Sequence, residues 1–286
     1  MENKTIVITG GSRGIGKTVA ETYRQRKANI VIGDIRDAEG EKLVAKMNEE
    51  AGAKVAIYVH TDVSHYEDNR HLFRTAESEF NRVDVAFLNA GIGSTSNTLF
   101  APLDDDREES IFNVDLIGVV KGTKVALLHM AKNKEDSAII INASTCSFQT
   151  PPAMSAYNAA KHGVIGWVRS LDFLPKVCNV RINANTDLMT DLGDRSIEPY
   201  WKVADALPRA SMKTLIQAID ICIKNTTKSG AAILVLPDGV SDFPRPAVFE
   251  STVNEATNKA LEIYKVEMVE QYKKELDIAL KRYSDN

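Results

Sequence analysis

Seven short, nearly unbroken apolar runs restrict the fold more than any other feature of this chain. They are Thr5–Thr9, Asn29–Asp34, Lys54–His60, Val83–Leu88, Ser137–Ala143, Val180–Ala184 and Ala231–Leu236. They do not alternate apolar with polar, so they suit parallel strands buried on both faces. Parallel neighbours need a long crossover, and helical patterns fill the gaps: Ile15–Arg26, Ala38–Glu50, Glu67–Phe80, Glu108–Lys132, Ala156–Leu174 and Lys213–Lys224. The alternation predicts an α/β chain built on a doubly wound parallel sheet of about seven strands, with helices on both faces. Ligands of such sheets lie beyond the C-terminal ends of the strands, where the strand order reverses.

Two stretches break the alternation. Residues 185–212 are long for a connection and carry Asp, Pro and aromatic residues, so a substrate lid is expected there. Beyond residue 249, Leu261, Tyr264, Met268, Tyr272, Leu276, Ala279 and Tyr283 recur at helical spacing. That predicts an amphipathic C-terminal extension over 250–286 on a single catalytic domain of residues 1–249. Its bland reading is a helix capping its own domain; the sharper one is a subunit contact.

Composition excludes several classes of function. The hydrophobic fraction is 44% and the charged fraction 26%, ordinary for a folded globular chain. Lys plus Arg is 35 against 39 Asp plus Glu, a net charge of −4, so no basic surplus points to nucleic acid. No apolar run reaches the length of a membrane span. Met1 to Thr9 enters a strand-like segment with no leader pattern. Cys146, Cys178 and Cys222 are odd in number and widely spaced, which fits reduced thiols and a cytoplasmic setting, and no metal site is expected.

The first strand runs into Gly10-Gly11-Ser12-Arg13-Gly14-Ile15-Gly16 and then a helix. Glycines bring backbone N–H groups close to a pyrophosphate, and the helix N-terminus adds partial positive charge. The second strand ends in Asp34-Ile35, with Asp34 eighteen residues past Gly16. A carboxylate there accepts ribose hydroxyls and repels a 2′-phosphate, which favours NAD over NADP. Arg13 and Arg36 argue the other way, since either can pair with that phosphate. Asp62-Val63 and Asn89-Ala90-Gly91 close the third and fourth strands. Asp62 is as well explained by a turn cap as by a ligand, and Asn89-Ala90-Gly91 alone is as well explained by an ordinary turn.

Tyr157 and Lys161 are four apart, on one face of their helix. An adjacent ammonium stabilises phenolate and lowers a tyrosine pKa from about 10. Such a tyrosine can move a proton to or from an alcohol oxygen. A solvated helix pair is the structural alternative. Ser144, thirteen residues earlier, can hold the reacting oxygen. Asn113 lies in an apolar helical pattern, either as a satisfied core asparagine or as part of a proton relay.

Together these motifs resemble the short-chain dehydrogenase/reductase family, from about Lys4 to Gly239. The resemblance implies a Rossmann-type fold and an NAD-dependent oxidoreductase interconverting a secondary alcohol and a ketone. It implies Tyr157 as general acid/base, Lys161 on its pKa and the nicotinamide ribose, Ser144 on the substrate oxygen and Asn113 in a water relay. It also implies Thr190 as a cofactor contact and a homodimer or homotetramer formed through the two long helices, while Leu188, Met189, Leu192, Tyr200, Trp201 and Leu207 of the lid, with Phe148 and Met154, suit an apolar pocket for a small-molecule substrate. Asn113–Leu116 and Lys161–Gly166 further resemble the NAD-dependent 15-hydroxyprostaglandin dehydrogenase group. Two departures stand out. No Pro-Gly follows the sixth strand, and Lys27 replaces the glycine that commonly ends the first helix, so that turn is expected to be built without a left-handed residue, which would cost a lysine roughly 1 kcal/mol. The first departure supports a competitor, a non-redox cyclase or isomerase on the same fold; a cofactor-sensing protein without turnover is a third reading, which has no need for Ser144, Tyr157 and Lys161 together.

Overall fold

Side chains of the central strands point alternately to two apolar layers. Ile6 and Ile8 pack to one side of the first strand and Val7 to the other, all at most 1% exposed. The computed structural model describes residues 1–93, 102–186, 203 and 206–284. Among them one sheet contains β1 (Thr5–Thr9), β2 (Asn29–Asp34), β3 (Ala56–His60), β4 (Val85–Leu88), β5 (Ser137–Asn142), β6 (Val180–Thr186), β7 (Ala232–Leu236) and β8 (Gly239–Phe243). Their spatial order is β3-β2-β1-β4-β5-β6-β7-β8. Every pairing is parallel except the last, where β8 returns antiparallel on β7. The order reverses between β1 and β4, which opens a crevice at their C-terminal ends.

The helices are α1 (Gly14–Gln25), α2 (Asp37–Ala51), α3 (Tyr66–Phe80), α4 (Arg107–Phe112), α5 (Val119–Met130), α6 (Ser155–Ser170), α7 (Leu174–Val177), α8 (Met212–Lys224) and α9 (Glu255–Ser284). The apolar sides of α1, α2 and α8 cover one face of the sheet. Those of α3, α5 and α6 cover the other.

The sheet agrees with the expected doubly wound architecture of about seven strands, with Gly239–Phe243 added as an antiparallel edge strand. The structure corrects three other expectations. The helix expected over Glu108–Lys132 is broken between α4 and α5 by a π-helical segment, Asn113–Gly118. The wider turn brings Asp115 and Gly118 inside, both buried. The helix expected to Leu174 stops at Ser170, since Pro175 has no N–H to continue the ladder and instead opens α7. Lys27 does not avoid the left-handed turn: its φ is 65°, a conformation that costs a lysine roughly 1 kcal/mol.

Among the described residues, the ring contacts of the C-terminal helix lie along its second half. Tyr272 stacks on Phe173 with ring centroids 4.9 Å apart. Tyr283 sits edge-on to His129 at the end of α5, and Arg70 and Arg74 of α3 lie over its ring. Leu261 and Tyr264, expected on the packed stripe, are 42% and 56% exposed.

Candidate active site

The glycine turn is shaped by backbone approach. Gly10 has φ 64°, and a Cβ there would lie 2.8 Å from the Ala90 Cα. Asn89 fastens the same junction, its amide donating to the carbonyls of Thr9 (3.1 Å) and Gly10 (3.0 Å). Two further asparagines extend this contact across the sheet. Asn142 Nδ2 donates to Asn89 Oδ1 (3.1 Å), and Asn185 Nδ2 donates to Asn142 Oδ1 (2.7 Å). A row of amides thus ties the ends of β6, β5, β4 and β1 together.

Above this row lies a cleft of about 330 Å³. Gly10, Arg13, Gly14 and Ile15 line it from the glycine turn, Asp34 and Ile35 from β2, Asp62 and Val63 from the turn after β3. Asn89, Ala90 and Gly91 line it after β4, and Tyr157 and Lys161 from α6. These expected residues, dispersed in sequence, therefore share one wall-to-wall site. Ser12 and Gly16 stand behind the turn and do not line the cleft. Thr190 and most of the expected lid lie outside the described residues.

The residues fit a dinucleotide. A Cβ at Gly14 would meet nothing within 4 Å, so the N-terminus of α1 opens into the cleft. The Asp34 carboxylate is held by backbone: Ser12 N–H donates to Oδ2 (3.0 Å) and Arg36 N–H to Oδ1 (3.1 Å). Asp62 is cap as well as wall, accepting the Ser64 N–H at 2.9 Å.

Tyr157 and Lys161 lie on the inward face of α6, each 4% exposed. Lys161 Nζ is 5.5 Å from the centre of the Tyr157 ring and donates to the Asn142 carbonyl at 3.3 Å. Ser144 is 1% exposed, and its Oγ accepts the Cys146 N–H at 3.1 Å. Its hydroxyl also faces the Cys146 thiol, and Ser144 itself does not line the cleft, where Asn142 and Ala143 do. Asn113 is partly buried on the π segment and does not line the cleft.

Two residues along, Asp115 does line it, and sequence reading missed it. Asp115 is 0% exposed, accepts the Ile92 N–H at 2.7 Å, and its Oδ2 lies 3.9 Å from Lys161 Nζ. Burial pushes its carboxyl up to about 6, against the pull of Lys161 and the Ile92 N–H. A single acid in an apolar helical pattern was the available signal; the π turn that directs it inward has no signature in the residues.

Comparison with known proteins agrees with this geometry. A model of the short chain dehydrogenase family matches residues 4–192. Momilactone A synthase of Oryza sativa subsp. japonica is 30% identical over 236 residues, 82% of this chain and 80% of that protein. Human 15-hydroxyprostaglandin dehydrogenase [NAD(+)] is 29% identical over 188 residues, 64% of this chain and 67% of that protein. The solved 3-ketoacyl-(acyl-carrier-protein) reductase from Brucella melitensis, complexed with NADH, superposes with a TM-score of 0.72 at 24% identity. That match covers 82% of this chain and 97% of the reductase, and shows the shared fold.

Proposed function

The chain belongs to the short-chain dehydrogenase family and is an NAD(P)-dependent oxidoreductase, and from that premise we propose that it interconverts a secondary alcohol and a ketone, with NAD preferred and Tyr157 as general acid/base. The observation that carries the reading is the meeting of Tyr157 and Lys161 with the glycine turn in one cleft. The nicotinamide cofactor, when bound, accepts or supplies the hydride. The remaining work falls to the chain. Tyr157 takes the proton from the alcohol or returns it to the ketone. The Lys161 ammonium stabilises the phenolate that forms. Ser144 turns its hydroxyl from the Cys146 thiol to the reacting oxygen and donates its proton there. The backbone-held carboxylate of Asp34 accepts ribose hydroxyls and opposes a 2′-phosphate.

The 29% identity with the human prostaglandin enzyme supports a place near that group without carrying over a substrate. On this reading the substrate is a small apolar alcohol, and the working form is a homodimer or homotetramer in the cytoplasm. No helix among the described residues is long and apolar enough to cross a membrane, and all three cysteines are free. Cofactor turnover against a panel of secondary alcohols and ketones tests the proposal. Product formed without net cofactor change would transfer the reading to a cyclase or isomerase.

A further inference from the structure

Among the described residues, the charge nearest to the Lys161 ammonium in this cleft belongs to a residue outside the Tyr–Lys–Ser set. Asp115 is wholly buried, and its two oxygens are used differently. Oδ1 is committed to the Ile92 N–H, and a Cβ on the neighbouring Gly91 would lie 3.1 Å from it. Among the described residues Oδ2 has no hydrogen-bond partner, and it stands 3.9 Å from Lys161 Nζ. A buried carboxylate oxygen without a donor costs free energy unless a charge stands opposite it. Here that charge is Lys161.

From α6 this carboxyl faces the Lys161 ammonium and, beyond it, the Tyr157 phenol. From the end of β4 it meets backbone, at Gly91 and Ile92. Across the π segment, Gly118 packs on Val63, an apolar contact. No other charged group among the described residues bears on it.

We infer that Asp115 is a positioning residue that acts through Lys161, holding the ammonium in place and cancelling part of the positive charge that Tyr157 feels. The inference rests on the reading of Tyr157 and Lys161 as the catalytic pair. Its consequence is a site whose charge changes with pH. Burial raises the Asp115 carboxyl to about 6, so below that value Lys161 stands uncompensated and above it the pair is neutral. The amide of Asp115→Asn keeps an oxygen for the Ile92 N–H but carries no charge.

The phenolate of Tyr157 can be titrated in the cofactor-free protein, by absorbance, as the difference between each protein and its Tyr157→Phe counterpart. This needs no turnover, so it separates failure of the inference from failure of the proposed reaction. In Asp115→Asn the midpoint should fall by roughly 1 pH unit, a tenfold change in the protonation constant. In a Lys161→Met background the same substitution should shift it far less. The rise of the oxidation rate with pH should move to lower pH in parallel. An unmoved midpoint, an upward shift, or a full shift without Lys161 would overturn the inference. The wild-type protein provides a check free of folding defects: infrared difference spectra should contain a protonated-carboxyl band titrating near pH 6. Absence of that band would also overturn it.

Discussion

A Cβ on Gly16 would lie 2.2 Å from the carbonyl oxygen of Gly10. Helix α1 therefore begins hard against the end of β1, and the nearest obstacle is backbone that cannot rotate aside, with the Asn89 amide next to it. Gly16→Ala should displace the turn, cost about 1–3 kcal/mol of stability and weaken cofactor binding. Melting and cofactor titration read the two effects. An alanine variant with wild-type affinity would mean that the turn tolerates displacement.

Asp34 should decide between the two nicotinamide dinucleotides. NAD should bind more tightly than NADP, and Asp34→Ala should narrow the difference by relieving repulsion of the 2′-phosphate. Dissociation constants for both cofactors test this. Tighter NADP binding by the wild-type protein would give Arg13 or Arg36 the controlling part.

Tyr157→Phe removes one oxygen and leaves the ring packed in the cluster with Ile111, Met154 and Ala160. Oxidation should fall by at least the 10²–10⁴-fold typical of acid/base catalysis, with melting and cofactor affinity nearly unchanged. Near-normal turnover by this variant would remove Tyr157 from its assigned role.

Arg181 should be a stability residue with no part in the reaction. At 1% exposed, it pairs with Asp136 at 2.7 and 2.6 Å and donates to the carbonyls of Cys222, Ile223 and Asn225 at the end of α8. Arg181→Met leaves those carbonyls without their donor. The expected loss is about 3 kcal/mol, near the low end for a broken buried pair, because Asp136 can still reach water. Chemical denaturation measures it, and a change below 1 kcal/mol would contradict the assignment.

Acid should loosen the C-terminal helix. The Glu77 carboxylate can only accept, so His129 donates from Nδ1 (2.7 Å), and Nε2 accepts the Tyr283 hydroxyl (2.9 Å). Burial lowers the His129 pKa, although Glu77 pulls it up. As pH falls below about 6.5 the unfolded chain takes up a proton that the folded chain resists, so stability falls. Hydrogen exchange along the second half of α9 should quicken over that range. Tyr283→Phe should do so at neutral pH, since it strands a buried acceptor at about 1–3 kcal/mol.

The parallel core was legible because burial on both faces imprints itself as continuous apolar runs: β1 and β2 span the residues that their runs mark. The missed strand, Gly239–Phe243, lies at an edge and exposes Ser241 and Asp242, so it has no such run. Its signal was the turn: Leu236 pairs with Gly239, leaving Pro237 and Asp238 as a two-residue hairpin loop. The cleft residues were legible where a motif placed them at a strand end. Asp115 was not, because the π segment sets its direction and nothing in local composition marks one.

The sheet order also sets a timetable for synthesis. β1 acquires its first neighbour, β2, soon after it is made, but its other edge belongs to β4. Asn89, at the end of β4, follows Thr9 by 80 residues. At translation rates of roughly 5–20 residues per second, that edge waits roughly 4–16 s on the ribosome for its partner. Ile6, Val7 and Ile8 are the backbone left open meanwhile, an interval in which a holding chaperone would have its target. The wait ends in one stroke, for the strand that closes the edge also delivers the Asn89 amide that fastens the glycine turn.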